Sequence, residues 1–318
     1  MKLIFMGTPD FALPSLEMLR QSRHCLEAVV TQPDRPRGRG KKVLSPPVKE
    51  WALRHGLQVL QPGSIKDEAF INRIKKIEPD LIVTAAYGCL LPPVLLQLPP
   101  LGCINLHASL LPAYRGAAPI HRAIMDGATE TGVSIIMMAP EMDAGDIILQ
   151  QSEPVYEGDT AGSLHDRLAQ KGAALLLKAI ERLADGSAVL TPQDHAAATY
   201  APPLRPEEEL IDWSRSAAEL HNQIRGMNPW PGAYTTFDGK RLKLWRSRPA
   251  GIKTGAPSIP GAVLEIDRES MIIATGAGAL AVQEVQPQGK RPMAAADFCR
   301  GYRLVPGAVL GQEAGERS

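Results

Sequence analysis

Two polar side chains interrupt an otherwise apolar run at Cys103-Ile104-Asn105-Leu106-His107-Ala108-Ser109-Leu110-Leu111-Pro112. Side chains on a strand alternate in direction, so Asn105 and His107 project from one face, roughly 7 Å apart along the strand. An amide donor and an imidazole so placed can hold a developing oxyanion, which suits attack on a carbonyl. The same N-x-H pair also fits a core histidine with a structural partner, and spacing alone does not separate the two. A second polar cluster, Glu141-Met142-Asp143-Ala144-Gly145-Asp146, follows the apolar run Ile135-Ile136-Met137-Met138. A carboxylate in such a loop can orient an imidazole or relay a proton, although an ordinary acidic turn has the same composition.

The elements that would position these residues are legible as short apolar runs alternating with amphipathic stretches, the pattern of parallel strands joined by crossover helices. Strands are expected at Lys2–Gly7, Leu26–Gln32, Gln58–Gln61, Asp80–Ala86, Gly102–Ala108 and Val133–Ala139, with helices at Pro47–His55, Asp67–Ile77 and Ala117–Met125. A Rossmann-like, doubly wound, mostly parallel α/β sheet is the economical assembly. In such sheets ligands bind beyond the carboxyl ends of strands, where Ser109–Pro112 and the Asp143 loop both lie. A long helical pattern, Thr160–Ala184, closes a first domain taken as residues 1–188. Pro192, Pro202, Pro203 and Pro206 mark a linker over 189–206. Residues 207–314 change character: a helix at Ser216–Gly226, then strands at Tyr234–Phe237, Leu242–Arg246, Ala262–Glu265, Met271–Thr275 and Leu280–Val285. Asp238-Gly239 supplies a hairpin turn between the first two, and the whole suggests a small, OB-like β-barrel.

Composition narrows the function classes. The 318 residues are 44% hydrophobic and 22% charged, ordinary values for a globular protein. Leu3–Met6 is too short for a signal-peptide core and nowhere do eighteen apolar residues run together, so a cytoplasmic protein is expected. Cys25, Cys89, Cys103 and Cys299 form no C-x-x-C pair and the histidines lack ligand spacing, so neither a disulfide framework nor a metal site is expected. Cys25, Cys89 and Cys299 read as buried small hydrophobes. Gly7-Thr8-Pro9 sits where a dinucleotide loop would, yet lacks its glycines. Net charge is only +1, so any nucleic-acid contact must come from local clusters. One is Arg35, Arg37, Arg39, Lys41 and Lys42 in a loop with two glycines. The other is Lys240, Arg241, Lys243, Arg246 and Arg248, where alternation puts Arg241 and Lys243 on one face and Leu242 and Leu244 on the core face. Either could track phosphates, and either could be a solvated charge run.

Taken together, the segments resemble the methionyl-tRNA formyltransferases along nearly the whole chain. The resemblance rests on Phe5–Ala12, on Thr31-Gln32-Pro33-Asp34-Arg35-Pro36 with Gly38-Arg39-Gly40-Lys41-Lys42, on Ala86-Tyr87-Gly88 and on Gly102–Pro112. It continues through Tyr114–Ile120, Glu130–Val133, Met142–Asp146, Ile211-Asp212-Trp213 and Asn228-Pro229-Trp230-Pro231. The N-x-H, S-L-L-P and D-x-G-D elements are shared with folate-dependent formyltransferases at large, whereas the basic loop and Asn228-Pro229-Trp230 are similar to features of the tRNA enzymes. Ala144 departs from a threonine common in the family. The resemblance implies a catalytic set of Asn105, His107 and Asp143. It implies 10-formyltetrahydrofolate as formyl donor against Tyr87, Gly88, Leu91, Pro92, Ser109, Leu110, Leu111 and Pro112. It also implies charged initiator methionyl-tRNA as partner, held by Arg37, Arg39, Lys41, Lys42, Arg241 and Lys243. No metal and no membrane are implied, and a monomer is the expected state. Formyl transfer to, or hydrolysis for, a small molecule such as a sugar nucleotide would account for the first domain equally well, and a non-catalytic RNA-binding protein for the second.

Overall fold

Leu3, Ile4, Phe5 and Met6 are all fully buried, as a strand covered on both faces requires. In the computed structural model, which describes residues 1–37, 42–251 and 259–311, these residues form β1 (Lys2–Gly7), an interior strand of a seven-stranded sheet. Along the chain follow β2 (Cys25–Val30), a separate hairpin of β3 (Arg35–Arg37) and β4 (Lys42–Leu44), then β5 (Val59–Leu60), β6 (Leu81–Ala85), β7 (Cys103–His107), β8 (Glu130–Met137) and β9 (Ile147–Pro154). The large sheet has the order β5-β2-β1-β6-β7-β8-β9. Its first five members are parallel, and β8 and β9 are antiparallel additions beside β7. The chain between strands is helical at α1 (Leu13–Gln21), α2 (Pro47–Arg54), α3 (Glu68–Ile77), α4 (Pro93–Leu96), α5 (Pro119–Met125) and α6 (Ala161–Ala184). Local chemistry sets these bounds. Asp67 caps α3 by accepting from the Ala69 N–H, and Pro47 opens α2 at a position where its missing N–H costs nothing.

The packing of α6 on β7 bears on the site. A Cβ added at Gly172 would lie 2.7 Å from Leu106 Cδ1, so glycine lets the helix sit directly on that leucine. Leu106 is thereby turned to the helix side, and Asn105 and His107, its neighbours on either side, face the other way.

Residues divide into two compact units. Unit 1 comprises Met1–Pro119, Glu130–Pro154 and His165–Pro202; unit 2 comprises Ile120–Thr129, Val155–Leu164 and the chain from Pro203 onward. Within unit 2, α7 (Ala217–Gly226) begins with a reciprocal capping box between Ser216 and Glu219. Strands β10 (Tyr234–Phe237), β11 (Lys240–Ala250), β12 (Val263–Ile266), β13 (Met271–Ala274), β14 (Ala279–Pro287) and β15 (Met293–Ala294) form an antiparallel sheet that curls as an OB-like half-barrel, and α8 (Ala295–Tyr302) follows. Asp238 and Gly239 both take positive φ, 49° and 68°, the paired left-handed turn that the hairpin required. Leu220, Leu244, Met271, Val282 and Phe298 belong to its core. The inserts join unit 2 through specific bonds: Arg122 forks onto Glu208, and Arg225 donates to the carbonyls of Tyr156 and Asp159.

Two cysteine expectations need correction. Cys25 and Cys89 are exposed rather than buried, because Cys25 heads β2 with its side chain at the sheet's end and Cys89 lies in the loop beyond β6. Cys103 and Cys299 are buried. Among the described residues no helix is long and apolar enough to cross a membrane.

Candidate active site

Strand register brings the first polar group into place. Thr84 on β6 pairs with Asn105 on β7, and the Thr84 hydroxyl donates to Asn105 Oδ1 at 2.6 Å. That bond turns the amide Nδ2 away from β6, and among the described residues Nδ2 has no acceptor. A donor so oriented can meet an oxygen that enters beside the strand. Thr84 is a polar residue in the fully buried run Leu81–Ala85, and that misfit was the signal available in the sequence.

His107, two residues on, is 6% exposed. Its Nε2 lies 2.9 Å from the Tyr114 carbonyl. Because a carbonyl only accepts, this nitrogen carries the proton and the neutral ring has a bare Nδ1. Nδ1 faces Asp143 Oδ2 at 3.6 Å, beyond a formed hydrogen bond. A proton arriving on Nδ1 would have that carboxylate as its counter-charge. Asp143 is itself aimed: the Gly116 N–H donates to Oδ2 at 2.9 Å, and the residue holds a left-handed φ of 53°. Imidazole and carboxylate thus face each other from β7 and the loop after β8. The sequence placed that loop beyond the carboxyl end of a parallel strand; β8 instead runs antiparallel to β7, so the loop leaves beside Cys103 at the start of β7 and Asp143 returns to His107 from there.

The turn after β7 is built by a hydrogen bond within itself and by others from β8 and β9. Ser109, fully buried, donates through Oγ to the Ala113 carbonyl at 2.6 Å. Ser134 on β8 donates to the Ser109 carbonyl and accepts from the Leu111 N–H, and Gln150 on β9 donates to the Leu111 carbonyl. The Ser109 hydroxyl therefore shapes the turn from inside. Leu111 is buried, while Leu110 and Pro112 are half-buried and form its outer side. Beyond β6, Tyr87 and Leu91 are core residues at 5% exposure each; burial pushes the Tyr87 phenol up to about 12, with Cys89 adding to it. Ala86, Gly88, Cys89 and Leu90 are the exposed residues of this bend and Pro92 is half-buried. Leu90 escaped the sequence reading, which took its neighbours Leu91 and Pro92 instead.

The basic residues fall into three groups. Arg39 and Lys41 lie outside the described residues. Arg37 and Lys42 pair with each other across the β3–β4 hairpin. Its base is secured by Asp34, which accepts from Gln61 at 2.8 Å and Lys49 at 2.6 Å; these partners hold its carboxyl below the usual range. In unit 2, Arg241 and Lys243 do share a face of β11 while Leu242 and Leu244 are buried. The Arg241 guanidinium lies over the Tyr234 ring at 4.3 Å. Lys243 donates to the Pro231 carbonyl at 2.6 Å and stands 5.2 Å from the Trp245 ring.

Comparison with known proteins bears on what this arrangement serves. The Formyl transferase family profile matches residues 1–180, and that of the Formyl transferase C-terminal domain matches residues 203–303. The methionyl-tRNA formyltransferase of Moorella thermoacetica is 53% identical over 314 residues, covering 98% of this chain and 99% of that one. Among solved structures, the methionyl-tRNA formyltransferase from Clostridium thermocellum matches 80% of this chain and 95% of its own at a TM-score of 0.54 and 19% identity. HypX from Aquifex aeolicus, in complex with tetrahydrofolic acid, matches at a TM-score of 0.62 and 17% identity over 95% of this chain, which spans about half of HypX (47%). These two structural likenesses speak to fold alone. With one profile over the first half, a second over the remainder and a full-length relative at that identity, the chain belongs to the formyl transferase family.

Proposed function

We propose that the protein transfers the formyl group of 10-formyltetrahydrofolate to the α-amino group of methionyl initiator tRNA, giving N-formylmethionyl-tRNA for translation initiation. The observation that carries this reading is the full-length identity to a methionyl-tRNA formyltransferase, joined to an Asn105 amide donor on the strand face it shares with His107 and to Asp143 facing that imidazole. The reaction forms a bond from the amine nitrogen to the formyl carbon and breaks the bond from that carbon to the donor's nitrogen. The proton lost by the amine is needed by the departing nitrogen. Asn105 Nδ2–H stabilises the oxyanion, and the His107–Asp143 pair holds the proton at Nδ1 between the two events.

Exposed Gly88 and Leu90, and half-buried Leu110 and Pro112, are assigned to the flat ring of the formyl donor. Tyr87, Leu91 and Pro92 in the bend after β6, and Ser109 and Leu111 in the turn after β7, complete the donor site in this reading. Arg37, Arg39, Lys41 and Lys42 are assigned to tRNA phosphates, as is Arg241, with Lys243 beside it. In this reading residues 1–188 are catalytic, 207–314 bind tRNA and 189–206 connect them, in a cytoplasmic monomer.

The test is to supply 10-formyltetrahydrofolate with methionyl initiator tRNA, methionyl elongator tRNA and small amines such as amino-sugar nucleotides. N-formylmethionine forming on the initiator is the expected result. Formylation of a small amine in its place would favour the small-molecule reading, and tRNA binding without transfer the non-catalytic one.

A further inference from the structure

Residues 191–201, which read as connector, run as a strap along unit 1. Thr191 exchanges backbone hydrogen bonds with Ile147 at 2.8 and 2.9 Å, and the Arg115 backbone pairs with Thr199 and Ala201 at 2.9 and 2.7 Å. Between these two fastenings the Gln193 side chain is inserted, 6% exposed. Its Nε2 donates to the carbonyls of Asp143 at 2.8 Å and Gly145 at 2.7 Å. Its Oε1 accepts from Arg115 Nη2 at 2.7 Å and Nε at 3.2 Å. A guanidinium only donates and carbonyls only accept, so the amide has one possible orientation and every one of its four bonding positions is filled.

Arg115 is 4% exposed, and its remaining side-chain partner among the described residues is His195 Nδ1 at 3.3 Å. A buried cation polarises the amide it grips and strengthens the donors at the amide's far end. Those donors hold the main chain of Asp143 at a left-handed φ that a non-glycine residue keeps only where its surroundings impose it. Three consecutive residues thus divide the work of aligning the pair. The Tyr114 carbonyl holds His107, the Gly116 N–H holds the Asp143 carboxylate, and the Arg115 side chain, through Gln193, holds the Asp143 backbone.

We propose that Gln193 is a positioning residue for formyl transfer, holding the Asp143 loop so that the carboxylate faces His107 Nδ1. It acts through Asp143 and therefore rests on the catalytic reading above.

A double-mutant cycle in the full-length protein tests it, with turnover measured at saturating formyl donor and methionyl-tRNA. Gln193→Met keeps the volume and removes both donors. It is expected to lower kcat about 10–100-fold, the usual cost of losing a partner that orients a functional group. Both KM values should stay within about threefold. In an Asp143→Asn background the same change should add less than about twofold, because the group it positions is already disabled. Multiplying effects would show a general structural role and overturn the proposal, as would Gln193→Met at wild-type kcat. Gln193→Glu guards against simple misfolding. It preserves the Arg115 contact as an ion pair but sets a carboxylate against two carbonyls, so kcat, measured well below the variant's own Tm, should fall at least about tenfold; wild-type kcat in this variant also overturns the proposal. Should Asp143→Asn alone keep wild-type turnover, the catalytic reading falls and this proposal with it. A crippled Asp143→Asn beside an unaffected Gln193→Met sinks the proposal alone.

Discussion

The polar groups of the β7 site and those of the unit 2 sheet are held in opposite ways. At the site each side chain is fixed at one atom and presents another: Asn105 is gripped at Oδ1 and offers Nδ2, and His107 is gripped at Nε2 and offers Nδ1. In unit 2 two charged contacts are closed on themselves. Arg122 and Glu208 meet at both nitrogens and both oxygens, 2.5 and 2.9 Å, and Lys243 is docked on a carbonyl. The same residue types therefore read as chemistry in one place and as fastening in the other, according to whether an atom is left over. That contrast can be broken by experiment, beginning where the effect should be largest.

Asn105→Ala and His107→Ala should each lower kcat by roughly a hundredfold or more, equivalent to about 2.7–4 kcal/mol of transition-state stabilisation, with Tm little changed. Single-turnover formyl transfer checks this. A variant that keeps its rate but loses stability would move its residue to the fastening class.

Glu208 is the counter-case. The Arg122 hydrogen bonds draw its carboxyl from an ordinary 4.5 down to about 2. A depressed carboxyl contributes stability that is present above its unfolded pKa and lost as pH falls through the folded one. Glu208→Gln should therefore cost about 1–2 kcal/mol at neutral pH after allowance for solvent screening. The gap to the wild type should close between about pH 4.5 and 2. Acid titration of the unit 2 unfolding transition measures it, and a gap that persists unchanged at the acid end would show that the ion pair is not its source. Turnover at neutral pH should be untouched.

Thr84→Val tests the contrast inside the site. Valine fills the same space but releases Asn105 Oδ1, so the amide is free to turn. A fall in kcat of about tenfold with an unchanged KM for the formyl donor is expected. Equal losses in both would show that Thr84 supports the binding wall and not the amide.

How much of this could be read in advance follows from range. The strands were legible because Leu3–Met6 or Leu81–Ala85 declare a buried parallel strand by themselves, and Asn105 with His107 declare a shared face by alternation. The hairpin at Asp238-Gly239 is equally local. What the sequence did not disclose is long-range and hydrogen-bonded: Thr84 beside Asn105, Gln150 under Leu111, and the strap at 191–201, whose lack of periodicity reflects bonding to separate loops and not to itself. Exposure is not legible locally either. Leu91, which the resemblance set against the formyl donor, belongs to the core, and Leu90 beside it is exposed.

The smallest effect separates two cations that alternation treats alike. Arg241 is exposed above Tyr234, so its charge can meet a phosphate without leaving its ring. Arg241→Ala should raise KM for tRNA a few-fold and reduce the slope of log K against log salt by roughly 0.7–0.9, the loss of one phosphate contact. Lys243 already donates to the Pro231 carbonyl, so reaching a phosphate would require breaking that bond. Lys243→Met, which keeps an apolar stem against Trp245, should lower Tm by a few degrees while leaving the salt slope where it was. If instead Lys243→Met flattens the slope at constant Tm, the ammonium exchanges its carbonyl for a phosphate when tRNA binds. The closed contacts of unit 2 would then be resting states of a binding face, and the line drawn between the two regions would hold only for the free protein.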